Sequence, residues 1–183
     1  MSGKAVHFLL VEDDDDHADL ITIALLAENG TDNVVDRVRN GTHALEYMHG
    51  EGAYRGRPRP QVVLLDIRLK QPTGIDGIGV LTAIKSNLRF RSTPVIVLTA
   101  SLSPDDISEA YAHHANSYLR KPIDYGEFDR MIRGLARYWG HWNQAPASEG
   151  RPARGPPSDE AGFAESAGAG ERPATTEEAD QPE

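Results

Sequence analysis

The sequence of 183 residues contains no cysteine. Without a thiol, the chain has no disulfide framework, no thiol nucleophile and no cysteine-ligated zinc site. It also has no apolar run approaching the roughly 18 residues that span a bilayer. The N-terminus lacks the charged start and the apolar stretch of a secretory signal. These absences predict a soluble, cytoplasmic protein with no membrane partner.

Basic residues are also few. Nineteen Lys and Arg stand against 28 Asp and Glu, which gives a formal net charge of −9 at pH 7. A nucleic-acid groove needs a clustered basic face, and the densest basic stretch, YRGRPRP at 54–60, holds only three arginines in a Pro-rich segment. We interpret that stretch as a solvated connection, and we expect no nucleic-acid partner.

Branched aliphatic residues are missing from the C-terminal part of the chain. Residues 146–183 contain no Leu, Ile or Val, and nine acidic residues against three arginines give them a net charge of −6. Such a composition cannot bury enough apolar surface to offset the conformational entropy lost on ordering. The sequence therefore predicts one domain over residues 1–145 and a disordered, acidic tail rich in Pro, Gly and Ala over residues 146–183.

What the chain does contain is a repeated alternation of strand and helix patterns. Three short runs are apolar at consecutive positions, as in strands covered on both faces: VHFLLV at 6–11, VVLLD at 62–66 and VIVLTA at 95–100. Two weaker strand candidates lie at 33–38 and 117–121. The pattern predicts five strands.

Five further segments carry helical periodicity, with apolar residues at intervals of three or four. Ser103 and Asp124 stand where N-cap side chains satisfy the first backbone N–H groups of a helix. The helices are predicted at 16–28, 42–49, 77–86, 103–114 and 124–139. Five alternating strand–helix units predict an α/β fold, a doubly wound, five-stranded parallel sheet with helices on both faces.

Polar residues end the predicted strands, at the edge where doubly wound sheets bind ligands. Glu12 and Asp13 follow the first strand, Asp66 ends a second, and Thr99 and Lys121 end two later ones. Three converging carboxylates repel one another unless a cation lies among them, and all-oxygen ligands favour Mg²⁺. A hydroxyl and an ammonium add what a bound phosphoryl group needs. The pattern predicts a phosphoryl-transfer site with a carboxylate as the candidate acceptor.

Four of these strand ends resemble the receiver domain of two-component response regulators. The segments LLVED, VVLLDI, VIVLTAS and YLRKP occur in that order, and the likeness covers residues 5 to about 142. The resemblance implies the flavodoxin-like receiver fold. It also implies a phosphoacceptor signalling protein rather than an enzyme, with only self-catalysed phosphotransfer and dephosphorylation.

The resemblance further implies a role for each strand-end residue. Asp66 would be the phosphoacceptor, taking a phosphoryl group from a histidine kinase, and Lys121 would bind that group. Thr99 would be the switch hydroxyl and Tyr118 the coupled aromatic residue.

A magnesium site is implied in the same way. Glu12 and Asp13 would form its acidic pocket, Asp66 would be a further ligand, and the backbone carbonyl of Arg68 would complete the ligands that the protein supplies.

A narrower resemblance concerns the partner. The segments GEGAYRGRPRPQVVLLDIRL, IKSNLRFRSTPVIVLTAS and SYLRKPIDYGEFDRMI are similar to those of single-domain regulators that partner bacterial phytochrome kinases. This likeness implies a stand-alone receiver, a homodimer whose histidine kinase is a bacterial phytochrome. The downstream protein target stays open, and the output would be a phosphorylation-dependent change of surface.

Two rival functions fit parts of the pattern. An aspartate-nucleophile phosphatase would also use Asp66, but the segment IRLK follows it, without the second acid two residues on that such hydrolases use. A docking module that is never phosphorylated would have no need of the whole set of strand-end residues.

The chain departs from the receiver pattern at one place. The segment LKQPTGIDGIGVL runs about three residues longer than usual, so that residues 70–77 form an extended loop beside the predicted site. The sequence leaves open whether this loop alters phosphoryl lifetime, metal access or kinase fit.

Overall fold

The computed structural model describes residues 3–28, 32–69 and 74–144. The predicted tail and residues 70–73 of the extended loop lie outside this part. Within it, five strands, β1 to β5, run at His7–Val11, Val34–Val38, Val62–Leu65, Val95–Thr99 and Ser117–Arg120. They form one parallel sheet in the order β2-β1-β3-β4-β5. All five predicted strands are confirmed to within one residue at each end.

Five α-helices connect and follow the strands. They are α1 to α5, at Asp15–Leu26, Gly41–His49, Gly77–Ser86, Pro104–Ala112 and Tyr125–Arg137. A short 3-10 turn at Gly52–Tyr54 precedes β3, and a π-helical turn at Tyr138–Trp142 extends α5. The predicted doubly wound α/β fold is confirmed. In the described ranges, none of the helices combines the length and the apolar character that crossing a membrane requires.

Side-chain alternation along the strands divides the hydrophobic core into two layers. Leu9 and Val11 of β1 face the layer covered by α2, α3 and α4. Phe8 and Leu10 face the opposite layer, covered by α1 and α5. Because both faces of the sheet are buried, the central strands are apolar at consecutive positions rather than at alternate ones.

Side-chain caps begin four of the five helices. The capping residues accept a hydrogen bond from the backbone N–H three positions on, and they are Asp14, Asn40, Asp76 and Asp124. Ser103 lies at the predicted N-cap position of α4, but the predicted capping hydrogen bond is wrong, because its side chain makes none. The residue is held instead through its own N–H, which donates to Oγ of Ser101 at 3.3 Å.

Glycine at position 77 lets α3 begin directly against the end of β3. A Cβ atom there would overlap Cα of Ile67 and lie 2.5 Å from the carbonyl oxygen of Asp66. Both obstacles are backbone atoms, which cannot move aside without shifting the strand. Residue 77 therefore fixes how closely the loop after Asp66 returns to the sheet.

The opposite, amino edge of the sheet is held together by polar side-chain contacts. Lys85 Nζ donates to the carbonyl oxygen of Thr93 at 2.8 Å and to Oδ1 of Asn116 at 2.7 Å. Nearby, Nδ1 of His113 lies 3.0 Å from Oγ1 of Thr82. The C-terminal end of α4 is thereby fastened to α3, and the start of β5 to the end of α3.

Candidate functional site

Four of the predicted site residues lie together at the carboxyl edge of the sheet. Glu12 follows β1, Asp66 follows β3, Thr99 ends β4 and Lys121 follows β5. All four are buried, with exposed fractions of 1%, 8%, 0% and 7% in that order. Backbone bonds set their positions: the Asp66 N–H donates to the Val11 carbonyl at 3.0 Å, and the Lys121 N–H to the Thr99 carbonyl at 2.8 Å.

Lys121 joins two of the carboxylates. Its Nζ lies 2.7 Å from Oε2 of Glu12 and 2.7 Å from Oδ2 of Asp66. The three residues are far apart in sequence, and the parallel sheet brings them to one point because all its strands end at the same edge. One ammonium between two buried carboxylates leaves the cluster one negative charge in excess.

Burial and charge pull the pKa values of this cluster in opposite directions. Burial raises the pKa of Glu12, and the hydrogen bond and charge of Lys121 offset only part of the increase. Burial alone would lower the pKa of Lys121, but the two carboxylates, above all Asp66, outweigh it and raise the pKa. Lys121 is therefore a firmly protonated cation at neutral pH.

The second oxygen of Asp66 is held by the chain that follows it. Oδ1 accepts the backbone N–H of Arg68 at 2.8 Å. On the other side, Oε1 of Glu12 accepts the N–H of Asp14 in a long bond of 3.4 Å. Asp13 lies between Glu12 and the cap of α1, and it is half-buried.

The predicted magnesium ligands form an oxygen-only set, which suits a hard cation. In residues 3–28, 32–69 and 74–144, however, no three His, Cys, Asp or Glu side chains are already grouped as metal ligands. The Lys121 ammonium is the cation that Glu12 and Asp66 contact. The donor chemistry fits Mg²⁺, while the assignment of Glu12, Asp13, Asp66 and the Arg68 carbonyl as ligands stays a prediction.

Thr99 and Tyr118 converge on Ser101, which the sequence did not single out. The Ser101 N–H donates to Oγ1 of the fully buried Thr99 at 3.3 Å. Tyr118 is half-buried, and its hydroxyl donates to the Ser101 carbonyl at 3.1 Å. Burial raises the pKa of Tyr118, so its hydroxyl keeps its proton at neutral pH. The two predicted switch residues are thus connected through one short loop.

Asp106 is a second residue that sequence reasoning missed. Its position in the first turn of α4 suggested only a favourable interaction with the helix dipole. Its Oδ2 instead accepts hydrogen bonds from Oγ of Ser101 and from Nε of Arg68, the latter at 3.0 Å. These contacts hold the pKa of Asp106 below its usual value, first through Ser101 and then through Arg68.

A shallow groove opens beside Lys121 between the start of α1 and the loop that leads into α5. Leu20, Ile123, Tyr125 and Phe128 line it, together with His17. Ile123 is almost fully exposed, at 95%. The groove places an apolar surface next to the buried ammonium.

Comparison with known sequences gives consistent matches. The pattern described as the response regulator receiver domain matches residues 8–133. The chain is 42% identical over 139 residues to the probable methanogenesis regulatory protein FilR2 of Methanothrix harundinacea, covering 75% of this chain and 86% of that protein. It is 34% identical over 131 residues to the response regulator Rcp1 of a Synechocystis species, covering 72% and 86% respectively.

Solved structures resemble the chain over most of its described part. The Mn²⁺-bound form of the response regulator Rcp1 superposes with a TM-score of 0.72 at 32% identity, covering 78% of this chain and 99% of that one. The phosphorylated cyanobacterial phytochrome response regulator RcpA gives 0.69 at 33% identity, covering 74% and 94%. Together with the sheet order and the cluster at its carboxyl edge, these matches establish that the chain belongs to the response regulator receiver family.

Proposed function

We propose that the chain is a phosphoacceptor of a two-component phosphorelay, and that Asp66 receives the phosphoryl group from a histidine kinase. One observation carries the proposal: the Lys121 ammonium lies 2.7 Å from the carboxylate oxygens of both Asp66 and Glu12 at the carboxyl edge of the sheet. A fixed cation beside a buried acceptor carboxylate favours phosphoryl transfer, because it neutralises the charge of the phosphoryl oxygens as they approach an acceptor that is itself negative.

In the proposed reaction, a carboxylate oxygen of Asp66 attacks the phosphorus of a phosphohistidine. The new O–P bond forms as the P–N bond breaks, and the imidazole nitrogen keeps the bonding pair and takes up a proton from solvent. Lys121 neutralises part of the charge on the transferred group. The Arg68 N–H, at 2.8 Å from Oδ1, orients the carboxylate for the attack.

Magnesium is part of the proposal. The residues that would hold it are Glu12, Asp13, Asp66 and the backbone carbonyl of Arg68. A bound Mg²⁺ would neutralise charge on the phosphoryl oxygens during transfer. Support comes from the oxygen-only donor set and from the Mn²⁺-bound form of the relative Rcp1.

The signalling step uses the connection between Thr99 and Tyr118. Thr99 would turn its hydroxyl towards the phosphoryl oxygens, which breaks the bond that it accepts from the Ser101 N–H. Tyr118, bonded to the carbonyl of the same serine, would respond to that movement. The proposed output is a changed surface around α4, β5 and α5, read by a protein target and through homodimerisation.

The kinase partner is proposed from relatives. Rcp1 and RcpA are response regulators, and RcpA and two further solved neighbours, RtBRR and AtBRR, are response regulators of phytochromes. The match covers nearly all of the Rcp1 and RcpA chains, which supports a receiver that acts by itself. We propose a histidine kinase of the bacterial phytochrome class, although FilR2, at 42% identity, is a probable regulator of methanogenesis.

The test of the acceptor is Asp66→Asn. This variant keeps the shape of the side chain but removes the nucleophilic charge, so Mg²⁺-dependent labelling by acetyl phosphate or by a phosphorylated kinase should fall to background. Asp16→Asn is the matched control, because Asp16 is an exposed acid in the first turn of α1 and should label like the wild type. Labelling of the Asp66 variant at unchanged stoichiometry would refute the assignment.

A further inference from the structure

Arg68 contacts the candidate acceptor and the fourth helix at the same time. Its backbone N–H donates to Oδ1 of Asp66 at 2.8 Å. Its side chain extends to α4, where Nε and Nη2 both donate to the single oxygen Oδ2 of Asp106. The residue therefore spans the gap between the acceptor and the N-terminal turn of α4.

Asp106 is in turn connected to the two predicted switch residues. The oxygen that accepts the Arg68 bonds also accepts the hydroxyl of Ser101. Ser101 donates its N–H to Thr99 and accepts the hydroxyl of Tyr118 on its carbonyl. Removing Arg68 from Asp106 would thus change the charge balance at one end of a continuous chain of hydrogen bonds.

The Arg68–Asp106 pair is weak enough to be exchanged. The Arg68 side chain is 62% exposed and the Asp106 side chain is 15% exposed, and ion pairs open to solvent on one side contribute little. A phosphoryl group on Asp66 would bring about −1.5 to −2 charges and three acceptor oxygens. The phosphoryl group would lie beside Arg68, and a guanidinium is suited to phosphate because it presents planar, paired N–H donors.

We propose that Arg68 is a transferable cation: Asp106 holds its guanidinium in the unphosphorylated protein, and the phosphoryl group on Asp66 takes it over. The transfer releases Asp106 from Arg68, so that the first turn of α4 and Ser101 can move together. This inference rests on the proposed phosphoacceptor function and assigns a phosphoryl-binding role to the Arg68 side chain, distinct from the role of its backbone carbonyl.

Affinity for beryllofluoride, a phosphoryl mimic, measured by calorimetry with Mg²⁺ on the full chain, tests the competition. Asp106→Asn removes the competing charge, so the apparent Kd should fall by about two- to fivefold. Arg68→Met keeps the backbone carbonyl and a side chain of similar reach, and should raise the Kd roughly tenfold through the loss of a charged hydrogen bond. In the Arg68→Met background, Asp106→Asn should have no further effect.

Asp105→Asn is the matched control, because Asp105 is an exposed acid in the same turn of α4. In the part of the chain that the structure describes, Asp105 does not contact Arg68. It should leave the Kd unchanged. If Asp106→Asn tightens binding equally with and without Arg68, or has no effect in the wild-type background, the exchange does not occur. If the wild type neither binds beryllofluoride nor accepts label, the proposed function fails and the inference with it. If the wild type binds beryllofluoride but the effects of Arg68→Met and Asp106→Asn on the Kd simply add, the exchange is refuted while the proposed function stands.

Discussion

Glu12 is a carboxylate that the fold buries almost completely, and its pKa is raised because burial outweighs the attraction of Lys121. The folded state then holds the Glu12 proton to a higher pH than the unfolded state does, for which the reference value is 4.5. Above the raised pKa, the ionised side chain lowers the free energy of unfolding. As the pH falls through the raised value towards 4.5, that cost disappears.

Glu12→Gln should therefore stabilise the protein at pH 7, in the absence of divalent metal. The expected gain in unfolding free energy is on the order of 1 kcal/mol, and it should vanish near pH 4.5. Urea denaturation at both pH values measures it. Glu51→Gln, at an exposed position, is the control and should stay within about 0.5 kcal/mol at both. A loss of stability at pH 7 would show that the ion pair with Lys121 outweighs the cost of burial.

The sequence predicts some residues of the site and not others. Glu12, Asp66 and Thr99 lie at the ends of strands that are clear in the sequence, and Lys121 ends a weaker candidate strand. The parallel topology places all four at one edge. Asp106 and Ser101 could not be predicted, because Asp106 meets Arg68 across 38 positions and the contact depends on how α4 packs. Short polar residues in a helix turn have an equally good local explanation, which hides a tertiary role.

At the scale of elements, the junction between β3 and α3 is set by the lack of a side chain at position 77. Gly77→Ala should destabilise the protein by about 1–3 kcal/mol, because the added methyl group meets backbone atoms of Ile67 and Asp66. It should also slow labelling of Asp66, whose carbonyl would be displaced. Thermal unfolding and the labelling rate measure the two effects.

Gly134→Ala is the control for that substitution. Gly134 is exposed within α5, and a Cβ there would meet nothing within 4 Å. Alanine is the better helix former by about 0.5–1 kcal/mol, so this variant should gain stability. Equal behaviour of the two variants would mean that the junction is not tightly packed.

The elements themselves were largely predictable, and their departures from prediction are local. Continuous apolar runs identified the three central strands because both sheet faces are covered, and the cap predicted at Asp124 is confirmed. Ser103 is the exception, since the loop from Ser101 takes up its backbone N–H and its side chain caps nothing. Competition between neighbouring polar groups of this kind is not encoded in a spacing pattern.

At the scale of the whole molecule, the proposal to test is the choice of kinase. A phosphotransfer profile against the histidine kinases of the source cell should show kinetic preference for a kinase of the phytochrome class. The groove beside Lys121 presents the exposed side chains of Ile123 and Tyr125 next to the acidic pocket. Preference for a kinase without a light-sensing module would exclude the phytochrome partnership and leave the phosphoacceptor role intact.

The bond between His113 and Thr82 gives α4 a fixed end, since it fastens the last turn of that helix to α3. At its first turn, the helix is held to the acceptor loop by the solvent-facing Arg68 side chain. A nine-residue helix is about 13 Å long, so a tilt of roughly 10° about the fixed end moves the other end by about 2 Å. A small rotation of α4 about its end at the amino edge would therefore displace its first turn at the surface by an ångström-scale distance.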